Sequence, residues 1–348
     1  LLAPVAATAN EVTINDFNAA EEIAVTNSRV DGLEARLNNF EAGSFSETTS
    51  ASFSIDAAIG AIDGDTTSEA TTFDYQFNIG LSTSFTGEDS LDIAIDSGST
   101  AASTADNPMA FDTGDGLTVD GVTYSFPLGG LSMIVGVDTD LSTAFTGACS
   151  YSAFTDYMSD CGTVNSIYSA GNGFTAAGSY AFDSGFSLAA GISGTADSSS
   201  ASNGLLTKEG SDSYGIEAAY TADSWGVSVA YVYDDNNTSA ETTTWGVNGT
   251  YSFDLADVSI GYETEETSGT EKTGYFVGLT FPEVGPGSVS VGAATTGNYA
   301  SSATEYMIYE AAYSYPVNDG LTITPGVFIE EKSGDDLTGV IVKSSFSF

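Results

Sequence analysis

"FDYQFNIGLSTSF", Phe73 to Phe85, decides the fold. Phe73, Tyr75, Phe77, Ile79 and Leu81 alternate with Asp74, Gln76, Asn78, Gly80 and Ser82. Strict alternation places the apolar set on one face of a β-strand and the polar set on the other. The pattern recurs to the end of the chain. Sixteen such segments are expected, at about 45–60, 71–85, 90–96, 117–126, 131–138, 174–183, 185–194, 212–222, 225–234, 243–253, 257–265, 273–282, 287–296, 304–315, 320–330 and 337–348.

The connectors fall into two classes. Short ones such as "TGEDS", "PLGG", "FDSG" and "PVNDG" alternate, on this parsing without exception, with longer polar ones such as "TADSSSASNGLLTKEGSDS". Tight turns at one end and long loops at the other are the habit of outer-membrane barrels, and strands of about ten residues fit a tilted bilayer crossing. The expected fold is therefore all-β, a 16-stranded antiparallel transmembrane β-barrel over 44–348. A soluble β-sandwich would hide its apolar faces in a core, but so many strands would split it into domains, and no linker interrupts the chain.

Which face meets lipid follows from cost. The faces opposite the apolar ones carry acids, and an ionised acid in hydrocarbon costs kilocalories, so those faces look into a wet lumen. The expected lumen residues are Asp56, Asp74, Asp92, Asp96, Asp138, Glu217, Glu263, Glu265, Glu310 and Glu330, with Lys343 the one base placed there. Aromatics are few on these faces, chiefly Phe276, Tyr306 and Phe328.

The 348 residues carry 48 acids, 6 bases and no histidine, a formal charge of -42. That balance excludes nucleic acid as a partner. Without histidine no Ser-His or Asp-His arrangement can form, so an enzyme is not expected. No cofactor is called for. A structural Ca²⁺ among loop carboxylates suits the oxygen-rich surface, although no twelve-residue calcium loop is present. An acid-lined bore attracts cations and repels anions.

The only two cysteines, Cys149 and Cys161, lie in the third long connector, about 139–173. Two cysteines in an exported protein most simply form one disulfide. A long connector braced in this way is read as a constriction loop, with Asp156 and Asp160 as its candidate charges. Protection of an exposed loop from proteolysis is the plainer alternative.

At the N-terminus, "LLAPVAATA" (1–9) reads as a signal-peptide remnant ending on a small-x-small site. Residues 10–43 read as a periplasmic helix. Ile23, Thr26, Val30, Leu33, Leu37 and Phe40 are spaced three or four apart, an a/d coiled-coil seam, with Gly43 at the expected C-cap. A lone amphipathic helix is the other reading of this short seam.

The junction "RVDGLEARLNNFEAGSFSETT", Arg29 to Thr49, resembles the helix-to-barrel junction of cyanobacterial outer-membrane porins of the carbohydrate-selective group. The resemblance implies a homotrimer in the outer membrane of a Gram-negative bacterium, a cyanobacterium, with contacts toward peptidoglycan through the helix. It also implies a preceding S-layer homology domain, which this sequence lacks. Sixteen-stranded general porins fold their third loop into the barrel, which is the placement expected here. The function expected is passive diffusion of cations and small hydrophilic solutes. A sugar-selective pore, or a structural tether or adhesive surface protein linking outer membrane and cell wall, are the alternatives.

Overall fold

The computed structural model describes residues 49–64, 70–99, 109, 111, 116–161, 173–194, 206–207, 210–235 and 240–348, without the side chains of 70 and 160. The segments read as a signal-peptide remnant and as a coiled-coil helix with Ile23, Val30, Leu33, Leu37 and Phe40 lie outside the described residues.

Seventeen strands follow one another: β1 (Thr49–Asp63), β2 (Ala70–Thr83), β3 (Ser90–Gly98), β4 (Thr118–Leu128), β5 (Leu131–Thr139), β6 (Gly173–Ala181), β7 (Phe186–Gly194), β8 (Asp212–Thr221), β9 (Trp225–Asp235), β10 (Thr242–Ser252), β11 (Asp257–Thr267), β12 (Thr270–Val284), β13 (Gly287–Thr295), β14 (Tyr299–Ala300), β15 (Met307–Asn318), β16 (Leu321–Glu330) and β17 (Leu337–Ser347). Sixteen are barrel staves. The other, β14, is a two-residue strand that pairs with Lys272–Thr273 of β12, an element the alternation did not predict.

Each stave pairs antiparallel with its sequence neighbour, and β1 closes on β17 from Ser54↔Ser347 to Asp63↔Thr338. Closure leaves no edge strand, the condition for a sheet to stand in a bilayer. At the seam the backbones of Phe53 and Phe348 exchange hydrogen bonds of 2.9 and 3.0 Å, and their rings stack at 5.9 Å. No described helix is long and apolar enough to cross a membrane.

The alternation is preserved in three dimensions. On β8 and β9, Ile216, Val229 and Tyr231 are exposed while Glu217, Ser228 and Ala230 are buried. The exposed side is the outside of the barrel, so its apolar character matches lipid and not water. Aromatics gather near both ends of this surface. Tyr214 and Tyr220 on β8, like Trp245 and Tyr251 on β10, stand six residues apart, or ~20 Å along a strand.

The turns need one correction. The β11–β12 connector, expected as a loop, is the tight turn Ser268–Gly269 with both φ values positive, 53° and 75°. Positive φ at both central residues matches the twist of a hairpin, so pairing continues from Asp257↔Thr280 up to Thr267↔Thr270. Short turns therefore occur at both ends of the barrel.

Candidate functional site: a loop folded against the inner wall

The chain leaves β5 at Thr139 and turns inward. A 3-10 turn, Leu141–Ala144, is capped by Asp140, whose carboxylate accepts the Ser142 N–H at 2.7 Å. Ala144 packs with Ile134, Ala177 and Ala189, the inward residues of β5, β6 and β7. Leu141 then meets Ala230 and Val232 of β9. Val232 breaks the polar habit of the inner face because the loop covers it.

The loop continues around the wall, bonded to one strand after another. Glu217 of β8 accepts the Thr146 N–H at 2.7 Å. Asn248 of β10 accepts the Ala148 N–H at 2.9 Å and the Ser228 hydroxyl at 2.7 Å. Ser259 of β11 accepts the Ser150 N–H at 3.3 Å. Glu310 of β15 accepts four bonds: the Tyr151 hydroxyl (2.9 Å), the Phe154 N–H (2.8 Å), the Thr155 N–H (2.8 Å) and the Thr155 hydroxyl (2.6 Å). Every one of these partners has inward parity, so this stretch of the loop lies inside the closed barrel.

Beneath the loop the wall is shaved to backbone. A Cβ on Gly278 would stand 2.4 Å from the Tyr151 ring, one on Gly292 would stand 2.6 Å from Met158 Sδ, and one on Gly215 would stand 2.8 Å from Leu141. Tyr151 meets Phe276 edge-on at 5.0 Å. Phe154, Met158 and Cys161 join Ile308, Phe328 and Ile341 in one buried cluster, which Met109 and Phe111 of the second long loop also enter. Cys149 and Cys161 form a disulfide with their Cα atoms 5.6 Å apart. Burial first, and then the Glu310 carboxylate, push the Tyr151 phenol far above its ordinary range, so it stays protonated and donates.

The expected lumen residues therefore divide. Glu217, Glu263, Glu310 and Glu330 point inward but are at most 3% exposed. Glu217 and Glu310 are spent on the loop, Glu263 accepts from the Asn298 amide, and Glu330 is paired with Lys332 at 2.6 Å. These four do not face open water, which corrects the expectation of a pore-lining role. Glu265 is paired with Lys272 at 2.9 Å. Lys272 shares inward parity with Gly274 and Phe276, so Lys343 is not the sole inward base.

On the β1–β4 side Asp92 is exposed, and Asp56 and Asp74 are partly so; Asp56 accepts the Ser345 hydroxyl, and Asp74 the Ser99 hydroxyl at 3.4 Å. Asp96 is buried and accepts the Thr118 hydroxyl at 2.6 Å. Gln76, Asn78, Ser82, Thr123 and Ser125 extend this polar wall, and all keep access to the lumen. Lys343 pairs with Ala58, two residues along β1 from Asp56. Asp138, with φ 50°, and Asp156, the first residue of the 3-10 turn Asp156–Cys161, are exposed, while the Asp160 side chain lies outside the described residues. Of the inward aromatics, Phe276 and Phe328 are buried and Tyr306 meets Tyr299 at 6.2 Å. Among the described residues no group of three or more acids or cysteines could hold a metal ion.

No family model matches the sequence, and no curated protein matches it. Solved structures do match the fold. OprB of Pseudomonas putida, in its high-pH structure, superposes with a TM-score of 0.70 at 12% identity, over 86% of this chain and 94% of that one. A loop-deletion mutant of OmpT, an outer membrane protein of Vibrio cholerae, gives 0.59 at 11% identity, over 87% of this chain and all of that one. A mutant of Rh. blastica porin gives 0.56 at 14% identity, over 86% of this chain and all of that one. The chain has the closed barrel fold of these outer-membrane porins.

Proposed function

We propose that the chain is an outer-membrane porin, a water-filled channel for passive diffusion of inorganic cations and small hydrophilic solutes. One observation carries the proposal: residues 140–161 of the third loop are folded inside the barrel and packed against the wall from β5 round to β17, while the inner faces of β2–β4 stay polar and, apart from Asp96, largely accessible. A tether between membrane and wall has no need of such a half-lined bore.

Cation preference rests on Asp74 and Asp92 of that wall and on Asp56 of the adjacent β1, joined by Asp156 from the loop. Of the described bases, Lys272 is paired with Glu265 and Lys332 with Glu330, which leaves Lys343 to oppose four acids. A sugar route would need aromatic faces along the path, and burial of Phe276 and Phe328 under the loop removes the two best placed. The homotrimer and the Gram-negative outer membrane complete the proposal, as the family resemblance implies.

The test is the reversal potential of the purified protein in a planar bilayer under a salt gradient. Cation preference is expected. Anion preference would overturn the assignment of the β1–β4 wall, and a folded protein that passes no current would overturn the porin reading itself.

A further inference from the structure

We infer that Glu310 is the positioning residue of the channel: its carboxylate is the post on which the disulfide-closed segment Cys149–Cys161 docks, and that docking sets the bore. The inference rests on the porin reading. All four donors to Glu310 come from Tyr151, Phe154 and Thr155, inside the ring that the disulfide closes. Oε1 takes the Tyr151 hydroxyl and the Phe154 N–H, and Oε2 takes the Thr155 N–H and hydroxyl. An ionised carboxylate has about four acceptor sites, so this loop segment fills its capacity.

Among the described residues no base is paired with this charge. Lys272 is paired with Glu265 and Lys332 with Glu330. The loop's own N–H and O–H dipoles therefore neutralise the carboxylate, and a buried charge tolerates little less than full satisfaction. On either side of the post, the wall offers glycine where the ring brings bulk: Gly278 and Gly292 receive Tyr151, Gly292 also receives Met158, and Gly326 receives Phe154. Post and socket thus share Tyr151 and Phe154, and together they fix the segment in one position.

The consequence is specific to a carboxylate. In Glu310→Gln one end is an amide NH₂, and whichever end it occupies, it faces a backbone N–H, of Phe154 or of Thr155. A donor facing a donor cannot be relieved by rotation of a peptide group. The swap leaves the size of the side chain nearly unchanged.

The experiment compares wild type, Glu310→Gln and Gly326→Val by single-channel recording, with chymotrypsin treatment of the vesicle-inserted barrels. The Gly326 variant dislodges Phe154 from the opposite side without touching the carboxylate. We expect wild type to show one open level and resistance at Tyr151 and Phe154. Both variants should lose the single level to fluctuating sublevels and gain cleavage within 149–161, with the heat-induced unfolding of the barrel unchanged. If Glu310→Gln keeps the wild-type level and resistance in a folded barrel, the inference is overturned. If wild type conducts nothing, the porin reading fails, and the cleavage pattern alone still decides whether Glu310 docks the loop.

Discussion

The ring of Phe154 lies so close to Gly326 that a Cβ added there would stand 2.5 Å from Cζ, 2.6 Å from Cε1 and 2.7 Å from Cε2. A flat ring edge cannot bend away as the tip of a flexible chain can. Gly326→Ala should therefore cost ~1–3 kcal/mol, the usual penalty of overpacking. Because the clash is with the loop and not with a neighbouring strand, the cost should fall on loop docking. Hydrogen exchange at the Phe154 amide should speed up in Gly326→Ala while the strand amides of β15 and β16 keep their protection. Uniform loss of protection across both strands would place the cost on barrel folding instead.

The disulfide closes a segment with a sequence separation of 12. Constraint of a loop this short removes ~3 kcal/mol of freedom from its undocked ensemble. Replacing both cysteines by serine should leave the sixteen staves paired, since none of their ladder bonds involves the bridge. The Phe154 and Thr155 amides, both bonded to Glu310, should exchange faster. Equal exchange with and without the bridge would mean that post and socket suffice to order the segment.

Asp89, in the turn between β2 and β3, accepts the Tyr124 hydroxyl at 2.7 Å, the Ser84 hydroxyl at 2.8 Å and the N–H groups of Phe85 and Thr86 at 2.9 and 2.8 Å. These bonds, that of Tyr124 first, hold its carboxyl well below the ordinary aspartate range. A carboxyl depressed on folding contributes stability that is complete above its unfolded value, about 3.9, and is lost as pH falls through the lower folded value. Asp89→Asn should lower the unfolding temperature at neutral pH and flatten its fall in acid. An Asp89→Asn barrel with an unchanged acid limb would remove the turn from the acid response.

The barrel was legible because its signal is local. A period of two survives in any register, and in "FDYQFNIGLSTSF" both faces are unambiguous. The Ser268–Gly269 turn was not, because polar flanks, "ETSGTEK", look alike whether paired or free; the Ser-Gly pair was the available clue. Parity also placed the acids on the inner face. It could not tell Asp92 from Glu310, since coverage depends on contacts 155 to 159 residues apart along the chain. Gly278, Gly292 and Gly326 in isolation read as weak strand residues, and only their shared inward parity hinted at a close approach.

Orientation in the bilayer can be tested by a pair of arginines. Val229 is 48% exposed on the outer face of β9, where Val229→Arg should cost ~2–4 kcal/mol if that face meets hydrocarbon near the midplane. Thr123→Arg, on the accessible inner wall of β4, should be nearly neutral for folding into vesicles. Equal tolerance of the two substitutions would contradict a lipid-facing exterior.

The last prediction separates accessible from buried charge. Asp56, Asp74 and Asp92 stand on the accessible wall, whereas Glu217 and Glu310 are covered by the loop. At 0.1 M salt the Debye length is ~10 Å, so a carboxylate acts on ions that pass within that reach. Replacing Asp56, Asp74 and Asp92 together by asparagine keeps their size and hydrogen-bonding ability but removes three charges from the path. The reversal potential should move most of the way toward zero, and the residual cation preference should vanish on raising the salt. Lys343→Gln removes the opposing base beside Asp56 and should move the potential the other way, by less, since it is one charge against three. If the triple variant keeps the wild-type potential while Lys343→Gln changes it, the path runs along β17 and not along β2 and β3.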